Sequence, residues 1–218
     1  MPMKNNREYR DMRLDIATRA DGDEEQTEER KLVNGYASTF NEPYVLYSDD
    51  EIVYREQVDP GAFNDTDRSD VIMQYNHEGR VFARITNNTL SVTPDERGLF
   101  IEADLGGTEL GRQLYEEIAG GYTDKMSFGF IVDHDEVLRT EAEDGRVDIL
   151  RTITGISKLF DVSAVSIPAN DATSISVRNL TDGVIEKIRA ERLEAERIET
   201  ERRRAIVKAK AIMSGGNK

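Results

Sequence analysis

The sequence contains no cysteine and no tryptophan, and it has only two histidines, His77 and His134. Without cysteine there are no disulfides, no cysteine-ligated zinc site and no thiol nucleophile. Two isolated histidines give little support to a metal centre, so we expect no metal and no cofactor. No apolar run approaches the roughly 20 residues of a membrane span, and the first 30 residues lack the apolar segment of a secretory signal.

Positive charge is also scarce, because 29 Lys and Arg residues stand against 43 Asp and Glu residues, for a formal net charge of −14. A protein that binds the phosphate backbone needs a basic face, so we expect no nucleic-acid partner. The charge favours solubility and leaves basic or neutral proteins as partners. With no membrane span and no export signal, the expected compartment is the cytoplasm.

Composition divides the chain into three stretches. Residues 1–30 are dominated by charge and offer little to bury, which predicts a mobile N-terminal arm. Residues 31–178 carry the apolar alternation of a folded domain. In residues 179–218 charge dominates again, and opposite charges recur three or four positions apart. That spacing predicts an exposed helical tail, while the broken apolar stripe does not favour a stable coiled coil.

Short runs of alternating apolar residues recur through the central stretch. They predict roughly seven to nine strands, such as Ile52–Val58 and Leu99–Leu105. One internal helix is predicted over Thr108–Ala119, and Asp59–Phe63 is typical of a turn into a short helix. The acidic segment Asp133–Asp148 predicts an exposed hairpin or loop. So many strands favour a sandwich or a closed barrel over a parallel sheet.

The strand predicted over Lys125–Val132 carries a candidate nucleophile. Large apolar residues occupy one face of it, and Ser127 and Gly129 lie on the other. Because Gly129 has no side chain to cover its neighbour, we expect the Ser127 hydroxyl to be accessible. Ser127 is then either an ordinary polar residue on a solvated face or a nucleophile with room for a substrate.

Two histidines and one carboxylate are the further candidates. His77 ends an apolar strand and is either a polar residue at a strand exit or a general base, since an imidazole accepts a proton near neutral pH. His134 lies among acidic residues, which favours a solvated surface position. Asp161 interrupts an apolar strand, so its carboxylate either reaches solvent or orients an imidazole in a Ser–His–acid triad. Residue types alone leave these alternatives open, because nearly any chain contains such a set.

Several motifs, taken in order, extend over roughly Lys31 to Arg178. Together they resemble the tailed-phage prohead protease family, capsid maturation proteases related in fold to the herpesvirus assemblins. The motifs are Gly35-Tyr36-Ala37-Ser38-Thr39-Phe40, Asp59-Pro60-Gly61-Ala62-Phe63, Asn76-His77, Met126-Ser127-Phe128-Gly129-Phe130, and Phe160-Asp161-Val162-Ser163-Ala164-Val165-Ser166-Ile167-Pro168-Ala169-Asn170. Each motif alone is weak, whereas five of them in the family's order carry the resemblance.

The resemblance implies a serine protease on a closed, assemblin-like β-barrel with flanking helices. It implies a nucleophile at Ser127, a general base at His77 and a third member at Asp161, where relatives more often have Glu. Asp is one methylene shorter than Glu, so the position of the acid is the departure to check. The assemblins use a second histidine as third member, and His134 is the one candidate for that role here.

The same resemblance implies what the protein acts on. The expected substrates are the scaffolding segment of the major capsid protein and the protease itself, inside the assembling prohead in the host cytoplasm. A homodimer is expected by analogy with the assemblin fold. Two alternatives stay open: a catalytically silent barrel that acts as an internal scaffold or capsid assembly module, and an unrelated β-domain for binding.

Overall fold

The computed structural model describes residues 7–12, 17–18, 30–143, 145–166 and 175–215, with the side chains of 11–12, 17–18, 175–182 and 210–215 outside that description. Contacts divide the chain into a unit of residues 1–178 and a unit of residues 179–218. In chain order the elements are β1 (Glu8–Met12), β2 (Ala17–Thr18), β3 (Leu32–Thr39), β4 (Tyr44–Ser48), β5 (Ile52–Val58), β6 (Ile72–Tyr75), β7 (Glu78–Arg84), a 3₁₀ helix (Ile85–Asn87), β8 (Leu90–Pro94), β9 (Gly98–Asp104), α1 (Glu109–Ala119), β10 (Lys125–Glu141), β11 (Val147–Val165) and α2 (Ile175–Gly215).

The described strands form two sheets. A seven-stranded sheet has the order β1-β10-β11-β5-β4, with β6 pairing β11 and β7, and a four-stranded sheet has the order β2-β3-β9-β8. The mainly β architecture with helices is therefore confirmed. Within the described part of the chain both sheets are open, so the closed barrel is not confirmed and stays a prediction.

Alternating burial along the strands produces the core. In β5 the side chains at alternate positions, beginning with Ile52 and ending with Val58, are buried, and β9 follows the same period. Aromatic side chains join the layers: Phe63 lies 6.0 Å from Phe40 and 6.3 Å from Phe128 between ring centroids. The apolar face of the predicted Ser127 strand is thus anchored in the core, which fixes the position of that strand.

The predicted internal helix is present as α1. The Thr108 hydroxyl caps its first turn by accepting a hydrogen bond from the Gly111 amide at 2.9 Å. Leu114 and Ile118 are buried on its inner face, while Leu110, one turn earlier, is 38% exposed. Helix α1 leads directly into the loop before β10.

Two local predictions need correction, and a third is confirmed. The short helix expected after Asp59 is a series of turns, in which the Asp59 carboxylate accepts a hydrogen bond from the Gly61 amide at 2.7 Å. The alternating patterns over Ile149–Ile153 and from Ile156 onward, which predict two separate strands, belong to one continuous strand, β11. The exposed hairpin or loop predicted over Asp133–Asp148 is confirmed as a hairpin formed by the outer ends of β10 and β11. The outer part of β10 is mostly polar and exposed, so its apolar pattern stops near Val132 although the strand continues to Glu141.

The segment Glu8–Met12 departs from the mobile arm that its charge predicts. It pairs with β10 as strand β1, and Arg10 is 2% exposed. The reason is that its charged groups find buried partners of opposite sign on other strands, which composition alone does not reveal. Residues 1–6, 13–16 and 19–29 of the predicted arm lie outside the described residues.

The second unit contains most of α2, a helix of 41 residues. Ion pairs one turn apart lie along its exposed surface, including Arg197–Glu194 at 2.8 Å and Arg203–Glu199 at 2.5 Å. This agrees with the charged helix that the tail pattern predicts. Within the described residues no helix is both long and apolar enough to cross a membrane.

Candidate active site

Three neighbouring strands bring the predicted site residues together. Ser127 lies on β10 and pairs with Ser163 of β11, two positions beyond Asp161 on the same strand. Strand β6 runs parallel to β11 on its other side, with Ile72 opposite Asp161, and His77 follows the end of β6. The order β10-β11-β6 therefore brings the serine, the acid and the histidine to one place.

A tight turn positions His77. Asn76 and His77 both have positive φ angles, 51° and 59°, between paired strands β6 and β7. This is the two-residue hairpin geometry that favours left-handed residues, and Asn and His tolerate it better than most. The Asn76 side chain ties the turn to β11, because its carbonyl oxygen accepts a hydrogen bond from the Ser166 amide at 3.1 Å. The sharp turn projects the imidazole back across the sheet.

The three side chains form a continuous hydrogen-bonded relay. His77 Nδ1 lies 2.5 Å from Asp161 Oδ1, and His77 Nε2 lies 2.5 Å from Ser127 Oγ. With Nδ1 protonated and donating to the carboxylate, Nε2 is the ring nitrogen that accepts the serine proton. This is the connectivity of a Ser–His–acid triad, in which the acid holds the tautomer and the base faces the nucleophile.

Asp161 is a fully buried carboxylate, and both of its oxygens accept hydrogen bonds. Oδ1 accepts hydrogen bonds from His77 and, at 2.8 Å, from the Ser163 hydroxyl. Oδ2 accepts a hydrogen bond from the Arg7 guanidinium, which also stacks 4.4 Å from the Phe160 ring centroid. Burial lowers the pKa of Arg7 from its usual value. Without such partners a carboxylate at 0% exposure would be very costly, so the contacts account for Asp161 in an apolar strand.

The glycine beside the nucleophile has a different task from the one expected. A Cβ atom on Gly129 would lie 2.4 Å from Asp161 Oδ2 and 2.9 Å from the Tyr9 ring. The absent side chain therefore makes room for the acid and for β1.

Ser127 is covered, contrary to the accessible hydroxyl expected from the sequence. Strand β1 lies directly beside it, the Arg10 carbonyl oxygen is 2.9 Å from Ser127 Oγ, and the serine is 0% exposed. The Tyr9 ring packs edge-on to the His77 ring with centroids 4.5 Å apart. The described site is therefore complete but closed by a strand from the N-terminal part of the chain.

His134 lies away from this relay. Its side chain is 76% exposed on the β10 hairpin, where Nδ1 is 3.0 Å from Asp133. The structure thus brings Asp161, and not His134, to His77. Among the residues that the structure describes, no cluster of His, Asp or Glu has the arrangement of a metal site.

Sequence reasoning missed four side chains that contact the relay or hold its turn in place: Arg7, Tyr9, Asn76 and Ser163. Ser163 and Asn76 stand beside predicted site residues in the sequence, so their proximity was a usable signal. Arg7 and Tyr9 had none, because the pairing of β1 with β10 joins segments more than 110 positions apart.

Comparison with known proteins decides the family. Residues 15–186 match the family described as caudovirus prohead serine protease. The chain belongs to this family. It is 30% identical over 162 residues to the prohead protease of Enterobacteria phage HK97, a match that covers 72% of this chain and 64% of the relative. No solved structure matches the chain.

The match therefore spans less than two thirds of the phage relative's length. It confirms the resemblance carried by the ordered motifs of the sequence, although residues 167–170 of the last motif lie outside the described residues. Strand β1 precedes the matched range, so the strand that covers Ser127 is a feature of this chain beyond the family match.

Proposed function

We propose that the protein is a serine endopeptidase in which Ser127 is the nucleophile, His77 the general base and Asp161 the acid that orients and stabilises the imidazole. The observation that carries the proposal is the relay from Asp161 through both nitrogens of His77 to Ser127 Oγ, with each link at 2.5 Å. Membership of the prohead protease family supports the same assignment.

The geometry supports a two-step acyl transfer. His77 Nε2 takes the Ser127 proton as Oγ attacks the peptide carbonyl carbon, and Asp161 stabilises the imidazolium that forms. The imidazolium then gives its proton to the leaving amine as the carbon–nitrogen bond breaks, which leaves an acyl-serine. Water then attacks the ester carbon as His77 takes its proton. The carbon–Oγ bond breaks, the imidazolium returns the proton to Ser127 Oγ, and the new carboxyl terminus of the substrate leaves. Backbone N–H groups are the expected donors to the oxyanion.

The proposed substrates are the scaffolding segment of the major capsid protein and the protease itself, acted on inside the assembling prohead in the host cytoplasm. The phage relative's name, prohead protease, supports this setting. Two copies of the chain are proposed to associate, by analogy with the assemblin fold.

Co-expression with the major capsid protein tests the activity. We expect the capsid protein to be shortened by the wild-type chain and left intact by Ser127→Ala, as measured by intact mass. Ser157→Ala is the matched control, because Ser157 is an exposed serine on β11. Cleavage that persists with Ser127→Ala rejects the nucleophile. If the wild-type chain leaves the capsid protein intact, the result favours the second candidate, a catalytically silent scaffold or assembly module.

The charged helical tail, residues 179–218, is proposed to be a docking or packaging element that self-cleavage removes. Its change of composition and its separation as a contact unit motivate the idea. A chain ending at Asn179 should retain the peptidase activity and fail to enter proheads, as measured by immunoblotting of purified particles. Normal entry of the shortened chain counts against a docking role.

A further inference from the structure

Strand β1 seats a basic side chain in a buried acidic pocket next to the nucleophile. The Arg10 guanidinium donates hydrogen bonds to both oxygens of Glu56, one of them at 3.0 Å, and Arg10 and Glu56 are 2% and 0% exposed. Glu56 also accepts hydrogen bonds from the Tyr44 hydroxyl at 2.5 Å and from Arg151 at 2.8 Å. Because both charges are almost fully removed from water, the pair depends on close hydrogen-bond geometry between the guanidinium and the carboxylate. A pocket that recognises one side chain needs the same geometry.

The same residue that fills the pocket presents its carbonyl group to the nucleophile. The Arg10 carbonyl oxygen is 2.9 Å from Ser127 Oγ, while the Arg10 side chain extends to Glu56. In a peptidase, the residue whose carbonyl lies at the nucleophile is the one that precedes the cleaved bond. Strand β1 also pairs in extended form with the strand that bears Ser127, which is a common way to bind a peptide. In the positions of its carbonyl oxygen and its side chain, Arg10 resembles the substrate residue before the cleaved bond.

The side chains that line the pocket around Arg10 lie on strands other than β1. Tyr44, Glu56 and Arg151 lie opposite one another on the adjacent strands β4, β5 and β11. The Asp135 carboxylate of β10 accepts a hydrogen bond from Arg151 Nε and holds Arg151 from the outer side. These side chains are placed by strand pairing, so the pocket keeps its shape for another peptide that replaces β1.

The charges that remain in the pocket determine which side chain such a peptide must supply. Arg10 and Glu8 are the two charged members of the cluster that β1 supplies. Without them two carboxylates, Glu56 and Asp135, face the single cation Arg151. Burial raises the pKa of Glu56, but with β1 in place Arg10, Arg151 and Tyr44 together lower it below its ordinary value. When β1 leaves, the buried carboxylate loses Arg10, and another cationic side chain would again stabilise its charged form.

We propose that the Glu56 pocket is the specificity pocket of the enzyme, and that it selects substrates with Arg or Lys immediately before the cleaved bond. Strand β1 is held in the cleft as such a substrate is held, with Arg10 as its basic residue. The proposal rests on the proposed peptidase function and adds the substrate class.

Peptide hydrolysis by the full wild-type chain tests the selection without any substitution. The probes are one peptide series that differs only in the residue before the cleaved bond: Arg, Lys, citrulline, norleucine or Glu. Citrulline keeps the size of Arg and lacks its charge. Since every peptide competes with β1 equally, ratios of kcat/KM do not depend on how often the cleft opens. We expect Arg and Lys to be cleaved at least about 100-fold faster than citrulline, norleucine or Glu.

Two variants then assign the selection to Glu56. Glu56→Gln should reduce the ratio of Arg to citrulline hydrolysis to within about 10-fold, while Arg55→Gln, which alters the exposed neighbour on the same strand, should leave it unchanged. Thermal unfolding of both variants checks that the fold is kept, and if Glu56→Gln does not fold, the wild-type series alone decides.

Failures at the two levels are distinguishable. If the wild type hydrolyses the peptides no faster than Ser127→Ala does, the peptidase function itself is rejected. Hydrolysis that depends on Ser127 but shows no preference for Arg and Lys overturns the pocket and reduces the Arg10–Glu56 pair to an anchor for β1. An unchanged preference in folded Glu56→Gln overturns the assignment to Glu56.

Discussion

At the scale of single residues, the site depends on backbone conformation as much as on side chains. His77 sits at a positive φ angle of 59°, a conformation that β-branched residues rarely adopt, and its neighbour Asn76 shares it. The Asn76 amide group bonds to Ser166 at the end of β11 and so holds the turn against the strand that carries Asp161. Asn76 is therefore a positioning residue for the imidazole.

Asn76→Gly tests that role, because glycine tolerates the positive φ angle while lacking the side chain that reaches Ser166. We expect kcat to fall about 10-fold with KM little changed, since a displaced imidazole weakens proton transfer more than substrate binding. Steady-state kinetics on one peptide measure both. A matched change on the far turn, Asn88→Gly at φ 60°, should leave kcat as it is.

Asp161 provides the second residue-scale prediction. Asp161→Asn keeps the size of the group but removes its charge, so His77 loses the partner that fixes its tautomer. We expect kcat to fall by about 10⁴, the loss seen when a triad acid is made neutral. Asp161→Glu restores the charge and should recover part of the activity. A rate for Asp161→Asn near that of the wild type would make the carboxylate merely structural.

At the scale of elements, strand β1 closes a site in which the three side chains of the relay are already hydrogen-bonded. It covers Ser127, places Tyr9 against His77 and brings the Arg7 cation to Asp161. A cation beside the acid opposes formation of the imidazolium, because it competes for the carboxylate that stabilises it. In the described arrangement β1 therefore holds the relay at rest.

Reversing the charge of Arg10 should release β1. Arg10→Glu places a second carboxylate against buried Glu56, and like charges in a buried site repel strongly. We expect kcat/KM to rise several-fold for every peptide by the same factor, since only the fraction of open cleft changes. The control is Arg55→Glu, where the altered side chain is partly exposed and paired with Asp148. A slower or peptide-dependent response would show that β1 does not gate the cleft.

The elements also show where sequence patterns succeed. Strands β5 and β9 alternate so regularly that their bounds follow closely from the sequence, and α1 is set by its apolar spacing. Strand β1 could not be found in this way. What stabilises it is a set of ionic contacts to Glu56, Arg151 and Asp161, which are separated from it by 46 to 154 positions. Local periodicity carries no information about such partners.

In the candidate site, too, the sequence predicts some features and leaves others unpredicted. Ser127, His77 and Asp161 were named from ordered motifs, and the structure brings them into hydrogen-bonding distance. The closure of the site was not foreseen, because Gly129 suggests open space in the sequence while Asp161 and Tyr9 fill that space in the fold. A glycine shows that room exists and does not show what occupies it.

At the scale of the whole domain, the buried ion cluster links β1, β5, β10 and β11 and makes stability depend on pH. Burial raises the pKa of Glu56, but Arg10, Arg151 and Tyr44 lower it further, so its pKa is lower in the folded than in the unfolded chain. Such a group stabilises the fold above the unfolded-state pKa, about 4.5, and that stability is lost as pH falls through the lowered folded value.

Urea unfolding between about pH 7 and pH 3 measures this contribution. We expect the free energy of unfolding to fall over the acid part of the range in the wild type, and to fall less steeply in Glu56→Gln, which has no carboxylate to protonate. Glu96→Gln, a change at an exposed position, is the control and should follow the wild type. Parallel curves for the wild type and Glu56→Gln would show that the buried cluster contributes nothing to acid sensitivity.

Covalent labelling with a fluorophosphonate, mapped by mass spectrometry, tests the central claim most directly, because this reagent marks a serine only where a neighbouring base activates it. The account predicts a single adduct, on the peptide that contains Ser127, whose formation abolishes cleavage of the capsid protein and is itself abolished by His77→Ala. An adduct on a different serine, or cleavage that continues after Ser127 is fully labelled, would contradict it.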